Sequence, residues 1–538
     1  MLIDFHEVDN GVTIETDVCI VGAGAAGITI ARLLAATGSD ICLLESGDLV
    51  PDRATQKLCA GDVIGLPADM LCAERFRCFG GTTHKWSGYC QPLDRLDFEA
   101  RDWVENSGWP ITLTDLLPWY RRAQTVCELG PFRYQSAAWE EHGLALPSLR
   151  SESLEYRFWQ LSPPTRFGEV YRENLARLSN VRVFLNATVI GIELREDRSG
   201  ISFVTAAAMG GKRARIHATH FVIACGSIET ARLLLESGVA GTRAEDHGGG
   251  AVGRFFMTHA QITVGTVFPT HGLEGYRALF DSLPLYHPAF RHSGNGDLVI
   301  GFGVAAPFQR ANKTLNCSLR LVPIPVPSYN ALREVYGDVF AGRRPRELVK
   351  RLGSVLLDLD GFLEAMYQRV ANGQPRISAF AILATVEDAP NPQSHVSLTS
   401  KRDTLGMRRV LVDWRLTPQC KDTLRQATKL LSDAAPRLGL GQVQTEKWLN
   451  DDDAWPAALR GGLGHHVGTA RMSDSPATGV VDRNCRVHAM SNLFVAGGAV
   501  FATSGSANPM LTIVALALRL ADHLKKRLKQ SQVNLRRP

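Results

Sequence analysis

A strand–glycine–helix–strand unit near the start of the chain constrains the fold more than any other stretch. Residues 17–47 read DVCIVGAGAAGITIARLLAATGSDICLLESG. The apolar run Val18–Val21 is typical of a strand buried in a parallel sheet, and helical spacing follows over about 25–36. A second apolar strand is predicted at Ile41–Leu44. This order of elements indicates an α/β fold with a Rossmann-like sheet.

The glycines of this unit are spaced for binding a dinucleotide. Gly22, Gly24 and Gly27 form GxGxxG between the strand and the helix. The first glycine allows a tight turn, the second allows a pyrophosphate to approach the backbone, and the third allows close helix–strand packing. Glu45 follows the last glycine by about 18 residues, near the spacing at which a carboxylate meets the ribose hydroxyls. The unit alone does not separate FAD from NAD.

Length, charge and cysteine spacing exclude several classes of protein. The 538 residues suit two domains rather than one core, and nothing in the sequence indicates an oligomeric state. The net charge of +5 is mild and its basic residues are scattered, so neither a nucleic-acid partner nor a membrane partner is expected. Eleven dispersed cysteines form no CxxC pair, which argues against a metal site. Unpaired cysteines and the absence of an apolar leader predict a cytoplasmic protein.

Two further segments place glycines beside strands or loops. The loop FGGTTHKW contains Gly81 and Thr82, whose backbone can approach a phosphate or a ring. His84 in the same loop is interpreted as structural, since a lone loop histidine more often is.

The apolar strand His220–Cys225 runs into Gly226, and a helix capped by the next serine is predicted. This second strand–glycine–helix crossing extends the same sheet.

Two adjacent histidines near the C-terminus are candidates for a catalytic base. His465 and His466 lie in the sequence GGLGHHVGTARM. An imidazole can take up a proton at neutral pH, so either one is a candidate base. The alternative is that an imidazole merely caps a turn.

A long apolar helix follows these histidines. A short strand runs into Gly497 and Gly498, and Asn508 with Pro509 then opens the helix. The start of a helix can hold negative charge. Asn followed by Pro is also a good N-cap and first-turn pair, so Asn508 has a structural reading beside the functional one.

Taken together, these motifs resemble the glucose–methanol–choline (GMC) family of FAD-dependent oxidoreductases. The matching parts are the GAGAAG unit, the FGGTTHKW loop, CGSIETARLLL, GRFFMTH, and the C-terminal HHVGTARM…VVDRNCRVHAMSNLFVAGGAVF…ANPMLTIVALALRLADHL. The resemblance implies a Rossmann-like FAD-binding domain of discontinuous segments and a substrate domain built on a mostly antiparallel sheet with helices. The predicted boundaries are 1–255 and 451–538 for the FAD-binding domain and 256–450 for the substrate domain. Helices are predicted within the latter at 329–340 and 347–370.

The resemblance also implies a reaction and its residues. Family members oxidise an alcohol to a carbonyl: a histidine takes the hydroxyl proton while the carbinol hydride goes to flavin N5. The histidine of the family's HxxGT pattern falls on His465, and His466 ranks second. The family's second active-site residue, a His or Asn before the final helix, falls on Asn508. The implied cofactor contacts are Gly22, Gly24, Ala25, Gly27, Glu45, Gly81, Thr82, Ser87, Val189, Gly226, Gly498, Pro509 and Thr512.

The GG loop bears on how FAD is held. Some family members attach FAD covalently through a histidine one residue before the loop Trp. This chain has Lys85 there and His84 one position earlier, so non-covalent FAD is predicted. Oxygen or another acceptor would reoxidise the flavin.

The segment GGTTHKWSGYCQPLDRLDFEARDW is similar to a bacterial branch that acts on sugars and glycosides. A hydroxyl of a sugar, glycoside or amino sugar is therefore the first substrate prediction, with a non-sugar alcohol as the alternative. Glu387 and Asp388 could recognise a cationic sugar, although an acidic pair is more often an exposed, solvated face. A non-redox enzyme resembling the FAD-containing hydroxynitrile lyases also stays open, as does an NAD-dependent dehydrogenase.

Overall fold

The computed structural model describes most of the chain, in segments. The described residues are 1–65, 70–140, 146–149, 152–163, 165–239, 250–270, 297–325, 363, 377–452, 455, 459–461 and 464–535. The helices predicted at 329–340 and 347–370 lie outside them, apart from position 363. Within these segments, no helix has both the length and the apolar character needed to cross a bilayer.

The regular elements alternate along the chain. The strands are β1 (Leu2–Asp4), β2 (Val12–Val21), β3 (Ile41–Leu44), β4 (Asp62–Ile64), β5 (Tyr89–Cys90), β6 (Leu154–Leu161), β7 (Val181–Leu185), β8 (Thr188–Leu194), β9 (Ile201–Ala207), β10 (Arg213–Ile223), β11 (Ala260–Phe268), β12 (Asp297–Val304), β13 (Cys317–Pro325), β14 (Ile377–Val386), β15 (His395–Arg402), β16 (Arg408–Asp413), β17 (Gln442–Thr445), β18 (Arg460–Gly461) and β19 (Leu493–Val495). The helices are α1 (Ala25–Ala35), α2 (Arg53–Gln56), α3 (Met70–Ala73), α4 (Arg95–Phe98), α5 (Leu113–Val126), α6 (Ala137–Glu140), α7 (Phe167–Val170), α8 (Arg172–Arg177), α9 (Ser227–Glu236), α10 (Ala306–Asn312), α11 (Pro418–Ala434) and α12 (Met510–Leu535).

The first sheet is the Rossmann-like layer. Its order is β1-β7-β3-β2-β10-β9-β8, and β19 pairs with the end of β10 that β9 leaves free. The strands β1, β7, β3, β2, β10 and β19 are parallel, whereas β8 and β9 form an antiparallel extension. Because β19 comes from the far end of the chain, this sheet is assembled from separated segments, and the predicted discontinuous FAD-binding fold is confirmed.

The second large sheet is antiparallel throughout, as predicted for the substrate domain. Its order is β17-β11-β14-β13-β12-β6-β5, with β18 on β11. Strands β5 and β6 come from within 1–255, and β18 comes from beyond position 450, so this sheet borrows strands from both flanking segments. The domain boundaries themselves stay a prediction. A small third sheet has the order β15-β16-β4.

Helix packing around β2 fixes the position of the glycine turn. A Cβ at Gly27 would lie 2.0 Å from the backbone oxygen of Gly22, so only glycine lets α1 sit this close to the turn. Helix α12 packs against α1 and α5 and buries Leu511, Val514 and Leu518. Burial on this scale holds the start of α12 in a fixed position beside the first sheet.

Candidate active site

A cavity of about 510 Å³ is lined by residues from both large sheets. It collects nearly all of the predicted site residues, namely Gly22, Gly24, Ala25, Glu45, Gly81, Thr82, Ser87, Val189, Gly226, His465, His466, Gly498, Asn508 and Pro509. Gly27 lies outside the lining, because its role is the helix packing described above. Thr512 also lies outside it, because its hydroxyl is buried in a hydrogen bond with the Tyr120 hydroxyl, 2.8 Å away. The cofactor contact at Thr512 stays a prediction.

One end of the cavity is formed by backbone. Gly22 has φ +102°, and a Cβ there would meet Ala224 O at 2.7 Å. At Gly24 a Cβ would have no atom within 4 Å, so the backbone faces open space beside the start of α1. The backbone of Gly81 comes close on the other side, since a Cβ on it would lie 3.1 Å from Gly24 Cα. A slot between two backbone turns at a helix start suits a phosphate group.

Glu45 closes the same end. Its carboxylate accepts hydrogen bonds from Ala23 N at 2.9 Å and Gly47 N at 3.0 Å. Burial raises the pKa of Glu45 to about 7, and these backbone donors and Arg77 oppose the rise. Each oxygen keeps a further lone pair for a ligand hydroxyl.

The arginines at this end are neutralised by one carboxylate on α9. Glu229 pairs with Arg75 at 2.7 Å and with Arg77 at 2.6 Å. These cations, together with Arg232, hold the pKa of Glu229 well below its usual range against the effect of burial. Ser227 is the first residue of α9 rather than its cap, and its hydroxyl donates to His466 O at 2.6 Å.

The GG loop turns its histidine away from the cavity. His84 Nε2 donates to Phe79 O at 3.2 Å, and His84 is not among the residues that line the cavity. Lys85 is exposed and donates to Ala73 O at 3.4 Å. Trp86 is fixed by a bond from its indole nitrogen to Thr165 O at 2.9 Å.

The opposite end of the cavity is formed by side chains, and a histidine pair is its centre. His465 Nδ1 and His259 Nδ1 are 2.9 Å apart. On its far side, His259 Nε2 donates to Gly505 O at 2.9 Å. Asn508 Nδ2 lies 3.5 Å from His465 Nε2, and this is the one side-chain hydrogen bond of Asn508 within the described residues. The side chain of Asn508 therefore faces His465 rather than capping α12.

His466 points elsewhere. Its ring packs on Phe256 with centroids 5.6 Å apart, and its Nε2 lies 3.9 Å from Glu74 Oε2. Burial, followed by the charge of Arg75, lowers the pKa of His466 to about 3. The fold thus separates the two adjacent imidazoles, and only His465 reaches Asn508.

The expectation for Glu387 and Asp388 was an exposed face or a sugar contact, and the structure overturns both. Both residues are fully buried and lie outside the cavity lining. Glu387 forms a bidentate pair with Arg101, and Asp388 accepts from the indole nitrogen of Trp414 at 2.7 Å. They are part of the packing behind the site.

The second sheet contributes lining residues that sequence reasoning missed. Tyr89 on β5, Gln261 on β11 and Arg320 on β13 all line the cavity, and His259 stands immediately before β11. His259 belongs to the GRFFMTH segment that carried the family resemblance, which was the available signal. An arginine in the middle of the apolar strand CSLRLVPIP was a signal for Arg320.

Comparisons with known proteins agree with this geometry. Residues 17–245 match the family model described as FAD dependent oxidoreductase, and residues 390–517 match the model described as GMC oxidoreductase. The chain belongs to the GMC oxidoreductase family. It is therefore an FAD-dependent oxidoreductase that acts on alcohol donors.

Relatives of this GMC oxidoreductase span almost its whole length. The 6'''-hydroxyparomomycin C oxidase of Streptomyces lividus is 25% identical over 574 residues, covering 94% of this chain and 92% of the relative. The paromamine 6'-oxidase of Streptomyces fradiae is 28% identical, with 94% and 90% covered. The crystal structure of pyridoxine 4-oxidase from Mesorbium loti has a TM-score of 0.56 at 16% identity, with 94% and 99% covered. That structural likeness shows the shared fold.

The cavity of this GMC oxidoreductase fits FAD on the observations above. The open space at Gly24 beside the start of α1 leaves room for a pyrophosphate, and Glu45 keeps lone pairs for ribose hydroxyls. The cavity continues from that end to His465 and Asn508, so a dinucleotide held by the glycine turn extends toward both side chains.

Proposed function

We propose that this GMC oxidoreductase oxidises a hydroxyl group of a sugar, glycoside or amino sugar to a carbonyl, with His465 as the base. The observation that supports the base is the chain from Gly505 O through His259 to His465 and Asn508 at the cavity. The two Streptomyces relatives, named for oxidation of paromomycin-type compounds, support the substrate class. When bound, FAD supplies the hydride acceptor, flavin N5.

The hydrogen bonds define which nitrogen of His465 is free to act. A carbonyl oxygen only accepts, so His259 Nε2 carries a proton toward Gly505 O. A neutral His259 then has a bare Nδ1, which accepts from Nδ1–H of His465. This leaves Nε2 of His465 unprotonated, on the side where Asn508 lies. The pair thus orients His465 Nε2 to take a hydroxyl proton.

Electrostatics keeps this base in its neutral form. The pKa of His465 is well below its usual range, first because of burial and then because of its electrostatic interaction with His259, His466 and Arg320. Burial also lowers the pKa of His259. A neutral imidazole is the form that accepts a proton, so His465 is ready to act at neutral pH. Asn508, whose amide nitrogen lies beside His465 Nε2, can donate a hydrogen bond to the same hydroxyl oxygen that His465 deprotonates.

We propose that FAD is held non-covalently. The histidine nearest the family's attachment position, His84, is bonded to Phe79 O, and Lys85, at the attachment position itself, donates to Ala73 O. Acid precipitation of the purified holoenzyme is expected to leave all the flavin in the supernatant. Yellow colour that stays with the washed pellet would contradict this.

We also keep the cytoplasm as the predicted compartment, on the support of eleven cysteines that are all free thiols. Fractionation of the cells that produce the protein tests it: activity in the periplasmic or secreted fraction would contradict the prediction.

The reaction is tested by anaerobic mixing of the holoenzyme with sugars, glycosides, amino sugars and simple alcohols, following flavin absorbance. Bleaching by the sugar-type members is the expected result, and admitting air then tells oxygen from another acceptor. Bleaching by simple alcohols alone would favour the non-sugar alternative. No bleaching by any alcohol, with FAD bound, would favour the lyase alternative, which the relatives described above do not support.

A further inference from the structure

We infer that Arg320 is the specificity-determining residue of this enzyme and that it selects an alcohol which also carries an anionic group, a carboxylate above all. This inference rests on the proposed function, because it assumes that the alcohol binds beside His465. Arg320 lies in the middle of β13 and lines the same cavity as His465 and Asn508.

The strand places the guanidinium on the cavity side of the second sheet. Alternate residues of a strand face opposite sides, and the neighbours Leu319 and Leu321 are buried in the apolar core on the other face. The guanidinium lies over the ring of Tyr89, 4.5 Å from its centroid, and 5.7 Å from that of Trp159. Two aromatic rings therefore fix its direction, and a hydrogen bond with Tyr89 uses only part of its five N–H donors, so others are left for a ligand.

The charge of Arg320 has no carboxylate to balance it. Within the described residues, no Asp or Glu oxygen lies within the 4.0 Å of an ion pair with Arg320, whereas Arg75 and Arg77 at the other end of the cavity share Glu229. The carboxylates that line the cavity are Glu45, Glu74 and Glu229. Glu45 is held by the glycine turn and Glu74 faces His466, so neither faces Arg320.

An unbalanced guanidinium in a partly enclosed cavity is costly unless a ligand supplies the counter-charge. A carboxylate matches the planar fork of arginine through two parallel N–H···O bonds, which a single hydroxyl cannot do. A cationic amino sugar would instead be repelled. Among sugar-type alcohols, the geometry thus favours acids such as uronates and aldonates over neutral sugars, and neutral sugars over amino sugars.

The test compares related alcohols that carry an anionic group, a cationic group or neither. Flavin reduction is measured anaerobically with methyl glucoside, methyl glucuronide and glucosamine, and with glycerol and glycerate. The acidic member of each set is expected to give kcat/KM about 10- to 100-fold higher than its neutral partner, the range for hydrogen bonds to charged groups. Equal or better reduction by the neutral or cationic members would overturn the inference and leave the proposed function standing. Failure of every alcohol would overturn the proposed function as well.

Variants at position 320 test whether Arg320 causes the preference for acidic alcohols. Arg320→Gln should lower kcat/KM for the acids, mainly through KM, until their advantage over the neutral alcohols is lost. Arg320→Lys should keep part of the advantage, because the charge remains without the fork. Arg402→Gln, at an exposed arginine that is not part of the cavity lining, is the matched control and should change nothing. If Arg320→Gln lowered all substrates equally, or altered the flavin spectrum, the guanidinium would serve the cofactor and the inference would fail.

Discussion

The two ends of the cavity are built in different ways. The nucleotide end, comprising Gly22, Gly24, Gly81 and Glu45, is made of backbone turns and one carboxylate held by backbone donors. The reaction end, comprising His259, His465, Asn508 and Arg320, is made of side chains from distant parts of the chain. In the first, cations and carboxylates are paired within the protein, whereas in the second a guanidinium has no such partner among the described residues.

The two ends therefore serve different purposes: one binds a cofactor that many enzymes share, and the other determines this enzyme's own substrate and reaction. Backbone recognition at a helix start suits a cofactor that many proteins share, because it needs glycine spacing rather than particular side chains. Side chains aimed into a cavity decide which alcohol binds and where its proton goes. Substitutions at the two ends should therefore change different observables.

The largest effect is expected at His465. His465→Ala should keep FAD bound but slow flavin reduction by about 100-fold or more, because no other group takes the hydroxyl proton. Stopped-flow absorbance under anaerobic conditions measures the rate. His466→Ala is the matched control and should stay within a few-fold of the unchanged protein, since His466 faces Glu74. Near-normal reduction in His465→Ala would move the base elsewhere.

The nucleotide end is tested by two glycines three residues apart. Gly24→Ala meets no protein atom, so the apoprotein should keep its melting temperature while the Kd for FAD rises about tenfold, equivalent to about 1.4 kcal/mol. Gly27→Ala places a methyl 2.0 Å from Gly22 O and should destabilise the apoprotein by roughly 1–3 kcal/mol. Titration of apoprotein with FAD and thermal melts separate the two. If both variants changed the Kd for FAD and the melting temperature in the same way, Gly24 would not differ from Gly27 in leaving room for the ligand.

A smaller effect is expected at His259, which acts through His465. His259→Ala leaves Nδ1–H of His465 without its acceptor, a loss of roughly 1–2 kcal/mol, so flavin reduction should slow by about tenfold. His259→Asn places a carbonyl oxygen near the position of Nδ1 and should restore most of the rate. Equal loss in both variants would indicate a packing role instead of a positioning one.

The smallest effect is on the pH profile. Because the pKa of His465 is lowered, its base form persists below the ordinary histidine value of about 6.5, and flavin reduction should stay flat from pH 8 through that value and fall only at lower pH. The charge of Arg320 contributes to this lowering, so Arg320→Gln should move the acid limb toward higher pH by a fraction of a unit. Rates at constant ionic strength check the shift. If the fall in rate moved to lower pH in Arg320→Gln, the charge of Arg320 would not be lowering the pKa of His465.

Much of the nucleotide end could be predicted from sequence, because its signals are contiguous. The strand at Ile41–Leu44 falls where its apolar run predicts. Gly22, Gly24 and Glu45 lie in one βαβ unit, so chain connectivity alone brings them together. His465 and Asn508 were found only through the family resemblance, since spacing by itself left both a structural reading.

The reaction end depended on tertiary structure. Arg320 and Tyr89 meet because β13 and β5 join one antiparallel sheet. The hydrophobic pattern within a strand does not reveal which other strands share its sheet. Distant partners likewise decided what two buried residues contact: Glu387 pairs with an arginine 286 positions away, and Thr512 with a tyrosine 392 positions away.

The sequence by itself determined a dinucleotide-binding α/β fold, because glycine spacing and strand–helix order act through neighbouring residues, and its motifs carried the family resemblance that implies FAD. The tertiary structure decided which imidazole reaches Asn508, which of its nitrogens contacts His259, and which guanidinium lines the same cavity. Those properties depend on side-chain direction and on partners far away in the chain, and only the packed sheets bring such partners within hydrogen-bonding distance.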